Sequence, residues 1–215
     1  MINMLAKKYH YIFSIREKIL RKIYNFFDII FDLLNGIKTN GIIDNSNLNT
    51  LSPYRENATA FQSVWCRNIR KLIKEAKKNG YRDCLFVDVG CGTGKACFYA
   101  SKFNFIKIIG FDFDETLIDK AIVNKRNFTG QREKIEFFVS DATKYILPKT
   151  QCFVFMFNPF DEKVMSIFIS NNLDIIKSHC CVVAYANDLQ KWILERNGMK
   201  LVFREENRKI SLWRF

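Results

Sequence analysis

From Tyr9 to Leu34 apolar residues recur at steps of three and four, at Ile12, Ile15, Ile19, Ile23, Phe26, Ile30 and Leu33. This is the period of an amphipathic helix, and Lys18, Lys22, Asn25, Asp28 and Asp32 fall largely off the stripe. The stripe is expected to pack against the body of the protein, a partner helix or a membrane surface being its other uses. Gly36–Pro53 is rich in asparagine and turn formers and reads as a linker or ordered loop. A second helix is expected over Thr59–Lys78, stopped by Asn79-Gly80.

Beyond Gly80 the pattern changes to short apolar runs of strand length: Cys84–Val89, Lys107–Phe113, Ile135–Ser140, Cys152–Phe157 and Cys180–Ala186. Helical stretches alternate with them at Lys95–Phe103, Glu115–Asn127, Asp161–Lys177 and Asp188–Asn197. Near-continuous apolar strands between helices imply an α/β fold, a mostly parallel sheet covered on both faces. Met199–Glu205 and Lys209–Phe215 are strand-like with only a few polar residues between them, so the chain is expected to end in an antiparallel hairpin.

The junction of the first strand and its helix reads FVDVGCGTGKACFYA, residues 86–100. Gly90, Gly92 and Gly94 permit a tight turn and bring backbone amides toward a ligand. The spacing excludes a Walker loop, since Gly94-Lys95 is followed by Ala96. It also departs from the dinucleotide fingerprint, whose third glycine comes one residue later. Asp88, just before the first glycine, suits a ligand with a cationic amino group and no phosphate at that point. Taken singly, the other acids at strand ends stay ambiguous: Asp112 and Asp114 suit capping of the helix at Glu115, and Asp141 suits a turn.

DVGCGTG resembles the first motif of class I S-adenosylmethionine-dependent methyltransferases, and the resemblance extends over roughly residues 54–215. It implies a Rossmann-like fold with a seven-stranded, mostly parallel sheet ending in an antiparallel hairpin, S-adenosyl-L-methionine as cofactor, and methyl transfer as the activity. Residues 1–53 would be a helical extension and linker, and 54–215 the methyltransferase domain. By the resemblance, Asp88, Gly90, Cys91 and Gly92 touch the methionine part of the cofactor. Asp112, with Asp114 as the alternative, grips the ribose, and Asp141 with the Ala142 amide meets the adenine. Asn158-Pro159-Phe160 is similar to the Asn-Pro-Pro-aromatic motif of amino methyltransferases with one proline missing. It implies that Asn158 touches the cofactor and orients an acceptor nitrogen, or an oxygen, while Phe160 packs on the substrate. The residues alone also fit a strand-to-helix turn capped by Asp161. YRENATAFQSV, residues 54–64, resembles the layout of non-SET histone lysine methyltransferases, and more closely that of small bacterial methyltransferases sharing it. Their N-terminal pattern is similar to FDLLNGIKTNGI, residues 31–42. Tyr54 and Thr59 would then fold over the open side of the cofactor.

Charge and cysteine content add partners and surroundings. The formal charge is +12, and residues 1–80 hold 14 Lys and Arg against 6 Asp and Glu. Such a bias attracts nucleic acid, anionic lipid or an acidic protein, or reflects a Lys-rich habit with no partner behind it. A nucleic-acid-binding module that keeps the fold and uses its basic N-terminal part is therefore the alternative to an enzyme. The apolar first helix also offers a homodimer surface. Seven cysteines without a Cys-x-x-Cys pair, and only two histidines, argue against a zinc site and for free thiols in a reducing cytoplasm. No apolar run is long enough for a transmembrane segment.

Overall fold

A computed structural model describes residues 15–43 and 61–215. Helix α1 (Ile15–Asn35) comes first, and strand β1 (Ile42–Ile43) pairs antiparallel with β2 (Phe61–Gln62). Then follow α2 (Cys66–Lys78), β3 (Leu85–Val89), α3 (Lys95–Ala100), β4 (Ile108–Asp112), α4 (Glu115–Asn127) and β5 (Ile135–Val139). The chain continues through β6 (Cys152–Phe157), α5 (Glu162–Ser178), β7 (Val182–Ala186), α6 (Lys191–Arg196), β8 (Lys200–Glu205) and β9 (Ile210–Arg214). The second helix starts later than its apolar pattern suggests, because Phe61 and Gln62 are taken by the ladder with β1.

Seven strands form one sheet in the order β5-β4-β3-β6-β7-β9-β8, parallel except that β9 runs against both neighbours. This is the mostly parallel sheet with a terminal hairpin that the alternation predicts. Successive residues of the inner strands face opposite layers, as the two-residue period of a strand requires. Phe86, Phe153, Phe155, Val182 and Ala184 enter the core shared with α2 and α3. Val87, Val154, Met156, Val183 and Tyr185 enter the core under α5 and α6. The edges differ: Phe138 and Val139 on β5 are exposed although the run is apolar, since β5 is the last strand on its side of the sheet.

The chain leaves β3 toward β4 and β5, then returns to place β6 on the other side of β3. The carboxyl ends of β3 and β6 therefore flank the switch point where open α/β sheets bind ligands. The loops at this place are the glycine loop after Val89 and Asn158-Pro159 after Phe157.

Helix α1 reverses the expected packing. Its apolar stripe faces outward, with Leu33 and Leu34 each 75% exposed, whereas Asp28, Asp32 and Asn35 are buried. The cause is a set of polar partners supplied by distant segments. Asp32 accepts from the Thr39 amide (2.6 Å) and hydroxyl (2.7 Å) and from the Asn40 amide (3.1 Å) and side chain (2.8 Å). Asp28 accepts from the Cys66 amide (3.2 Å) and pairs with Lys95 Nζ at 3.2 Å. Lys95 also donates to the Asn40 side chain. Phe31 and Ile37 are the apolar additions from this region to the core. Turned outward, these carboxylates would leave the Lys95 ammonium buried and unpaired, a cost larger than the gain from burying leucines in their place.

Both members of the Asp28–Lys95 pair are about as buried as the surrounding core. Asp28→Leu alone is expected to lower the unfolding free energy by about 3–5 kcal/mol, since it strands the ammonium. Asp28→Leu combined with Lys95→Met should recover at least half of that loss. Urea unfolding of the three proteins checks this, and a double variant no more stable than the single one contradicts it.

Candidate active site

The glycine loop joins β3 to α3, and its conformation explains its composition. Gly90, Gly92 and Gly94 all have positive φ, at 72°, 53° and 90°. A Cβ on Gly90 would lie 2.5 Å from Pro159 Cβ, and one on Gly94 would lie 2.6 Å from the Phe137 ring. What excludes side chains at these two positions is therefore the protein itself. Much of the loop's backbone is likewise used internally. The amides of Gly90 and Cys91 donate to the Phe111 carbonyl at 3.0 and 2.9 Å, and that of Gly94 to the Cys91 carbonyl at 2.9 Å. The Gly92 amide donates to Asp112 Oδ2 at 2.9 Å. The expectation that these amides point at a ligand is corrected accordingly: those of Gly90, Cys91 and Gly92 bind the loop to the end of β4, and that of Gly94 closes the loop on itself.

Asp88 lines a narrow cleft with Ser63, Val64, Gly90, Thr93 and Phe155. Its nearest polar partner is the Cys97 thiol, with Sγ 3.5 Å from Oδ2. Burial without a cation raises its pKa to about 8, the thiol contact opposing and the nearby Asp112 adding to the rise. Burial also raises Asp112, to about 6, against the amides of Asp114 and Gly92 that favour its charged form. Two carboxyls held this far above the usual carboxylate range form a site prepared for a cation or for hydroxyl donors.

The structure separates the two candidates at the end of β4. Asp114 is the N-cap of α4, accepting from the Leu117 amide at 2.8 Å. Asp112 instead holds two loop amides, those of Gly92 and Asp114 (3.1 Å). Asp141 closes a turn after β5, its Oδ1 accepting from the Thr143 amide (2.8 Å) and hydroxyl (2.7 Å). Ala142 beside it packs on the second core cluster.

At the end of β6, Asn158 is buried and has φ 40°, a conformation that asparagine tolerates better than most residues. The Tyr185 hydroxyl lies 2.9 Å from Asn158 Oδ1 and 2.5 Å from Gln190 Oε1, its single proton shared between these two acceptors, and the Gln190 amide donates to the same hydroxyl at 3.4 Å. Pro159 abuts Gly90. Phe160 is buried near Phe168, with ring centroids 6.4 Å apart. Asp161 caps α5 by accepting from the amides of Lys163 and Val164. The Asn158-Pro159-Phe160 turn and the glycine loop are thus brought together, while Asp141 comes from the far strand β5. Tyr54 and Thr59 lie outside the described residues.

Three contributors were not legible as site residues. Tyr185 orients Asn158 from the neighbouring strand; its one signal was a lone hydroxyl in the buried run VVAYA. Lys95 lines the cleft through its pairing with α1. Thr93 is strapped to residues 38 and 39, its hydroxyl donating to the Thr39 carbonyl at 3.3 Å. Asn124 links Lys38 and Thr93 by donating to both carbonyls. In this way the segment after α1 is bound to the glycine loop.

Residues 86–192 match the family model described as a methyltransferase domain. No curated protein matches the chain. Among solved structures, a Pyrococcus horikoshii protein provisionally described as an RNA methyltransferase is similar at TM-score 0.54 and 19% identity, over 80% of this chain and 91% of that one. A Leishmania major S-adenosylmethionine-dependent methyltransferase is similar at TM-score 0.53 and 10% identity, over 69% and 70%. The ribosomal protein L11 methylase of Lactobacillus delbrueckii subsp. bulgaricus gives TM-score 0.51 and 13% identity, over 68% and 77%. Nothing in these comparisons supports the non-enzymatic nucleic-acid module. With the domain match, the sheet order and the acid-flanked glycine loop at the switch point, the chain is a class I S-adenosylmethionine-dependent methyltransferase.

Proposed function

We propose that this enzyme methylates a nitrogen, or an oxygen, presented at the Asn158-Pro159-Phe160 turn. The observation that carries the reading is the contact between Gly90 and Pro159, which sets the cofactor loop directly against the turn. In this reading Asp88, Gly90, Cys91 and Gly92 hold the methionine portion of S-adenosylmethionine, Asp112 the ribose, and Asp141 with Ala142 the adenine. The buried, cation-deficient Asp88 fits an amino group, and Asp112 can accept from hydroxyls on lone pairs its two amide contacts leave unused. When bound, the cofactor supplies a methyl group already activated on a sulfonium, so the protein's task is positioning.

Asn158 performs that task through its side-chain carbonyl. Tyr185 occupies one of its two lone-pair directions and so fixes the amide plane, which makes Tyr185 a positioning residue. In this reading an acceptor N–H is drawn to the Asn158 side-chain carbonyl, which turns the nitrogen's own lone pair toward the donor. Phe160 faces the core and supports the turn from below instead of packing on the substrate.

Asn158→Gly tests this, because glycine keeps the left-handed backbone without strain. Incubated with methyl-tritiated S-adenosylmethionine and fractionated cell extract, the variant is expected to lose incorporation about a hundredfold or more. Its affinity for the cofactor should stay within about threefold of wild type. Undiminished incorporation would remove Asn158 from the reaction.

A further inference from the structure

We propose that α1 docks the enzyme on an anionic lipid bilayer, lying flat with its outward apolar face at the headgroup boundary. Seven large apolar side chains of this helix are exposed: Ile19, Ile23, Phe26, Phe27, Ile29, Leu33 and Leu34. At 100° per residue they cover an arc of roughly 160°, centred opposite the face that carries Asp28 and Asp32. So large an apolar face on one element marks an interaction surface.

The charges around it select the occupant. Between residues 18 and 40 both acids are buried, while Lys18, Lys22 and Lys38 are exposed. Lys18 lies just outside the apolar arc on one side, and Lys22 just inside that same edge. On the other side Phe27 opens into a groove of about 590 Å³ between α1 and α2, lined by Arg67, Arg70, Lys71, Lys74 and Arg208. The acids of that neighbourhood are already engaged, Asp28 with Lys95, Glu75 with Lys71 and Lys78, and Glu205 with Arg208. An apolar strip between two rows of cations matches a surface that is anionic outside and apolar just beneath.

A second copy matches it less well. Pairing two such helices would set Lys18 and Lys22 against a partner helix whose acids from residue 18 on, Asp28 and Asp32, are buried, on chains of charge +12 each. Nucleic acid would use the cationic groove but leave the aliphatic strip in water. Among the described residues no helix is long and apolar enough to cross a membrane, which is consistent with lying on one. The opposite face of α1 holds Lys95 at the cofactor cleft, so docking would present that cleft at a fixed height above the bilayer.

The test is flotation of the full chain with vesicles of phosphatidylcholine alone and with about 30% phosphatidylglycerol. Wild type is expected to float with the anionic vesicles and not with the neutral ones. The Phe26→Ser/Leu33→Ser/Leu34→Ser variant should lose partitioning about a hundredfold, and Lys18→Glu/Lys22→Glu about tenfold. All these side chains point to solvent, so thermal melting of both variants should match wild type and show that they fold. Absence of flotation with anionic vesicles overturns the proposal, as does a serine variant that floats like wild type. A dimer by light scattering that the serine variant splits, with no vesicle binding, assigns the face to a second copy. Tight binding of a single-stranded RNA oligonucleotide without vesicle binding assigns the groove to nucleic acid. Either result replaces the lipid surface.

Discussion

Asp112→Ala is expected to weaken S-adenosylmethionine binding by about a hundredfold or more. Two charge-assisted hydrogen bonds to ribose hydroxyls are worth roughly 1.5–3 kcal/mol each, and both disappear. A further loss comes from the loop, since Asp112 also receives the Gly92 and Asp114 amides and ties the glycine turn to β4. Asp112→Asn separates the two contributions. It can keep one amide contact while removing the charge, so its affinity should fall between wild type and alanine. Isothermal calorimetry of the three proteins reads this directly. An alanine variant that binds within threefold of wild type would exclude Asp112 as the ribose contact.

Cofactor affinity is also expected to rise with pH from about 6 toward 8, approaching tenfold per unit at the low end, and to turn over above about 8 as the cofactor's own α-amino group loses its proton. The cause of the rise is Asp88, whose pKa near 8 keeps it mostly protonated at neutral pH in the free enzyme. A bound amino group stabilises the carboxylate, so binding at pH 7 should release a proton. Calorimetry in two buffers of different ionisation enthalpy measures that release, and Asp88→Asn should abolish both it and the pH slope. The sign for stability is opposite. A carboxyl raised in the folded state favours folding fully below its unfolded pKa of about 4, and that contribution is lost as pH rises through about 8. The melting temperature of the free protein should therefore fall across that window, and saturating cofactor should flatten the fall. Affinity that is constant or declining from pH 6 to 8 would show that Asp88 does not meet the amino group.

The strands were legible because burial on both faces leaves no position for a polar residue. β3, β4, β6 and β7 are near-continuous apolar runs for that reason, and their ends fall within two residues of the expected ones. The acids at strand ends were legible through the same contrast, a carboxylate breaking an apolar run where the chain turns. Glycine spacing was visible too, but its cause was not. Gly90 meets Pro159, and Gly94 meets Phe137, across sequence distances that no local pattern reports.

Helix α1 shows the limit most directly. Its period announced a helix and separated an apolar face from a polar one, both from local chemistry. Which face turns inward depended on partners elsewhere in the chain: the amides of Thr39 and Asn40, the amide of Cys66 and the ammonium of Lys95. The same holds for Asn158, whose orientation comes from a tyrosine on the next strand. Local pattern was enough to establish the order of elements, the parallel sheet and the acids at its edge, because those follow from periodicity and from the solvation of single side chains. The choice of buried face and the aim of the site came from folding, because hydrogen bonds and ion pairs acquire their energy only when groups far apart in the chain are brought within about 3 Å.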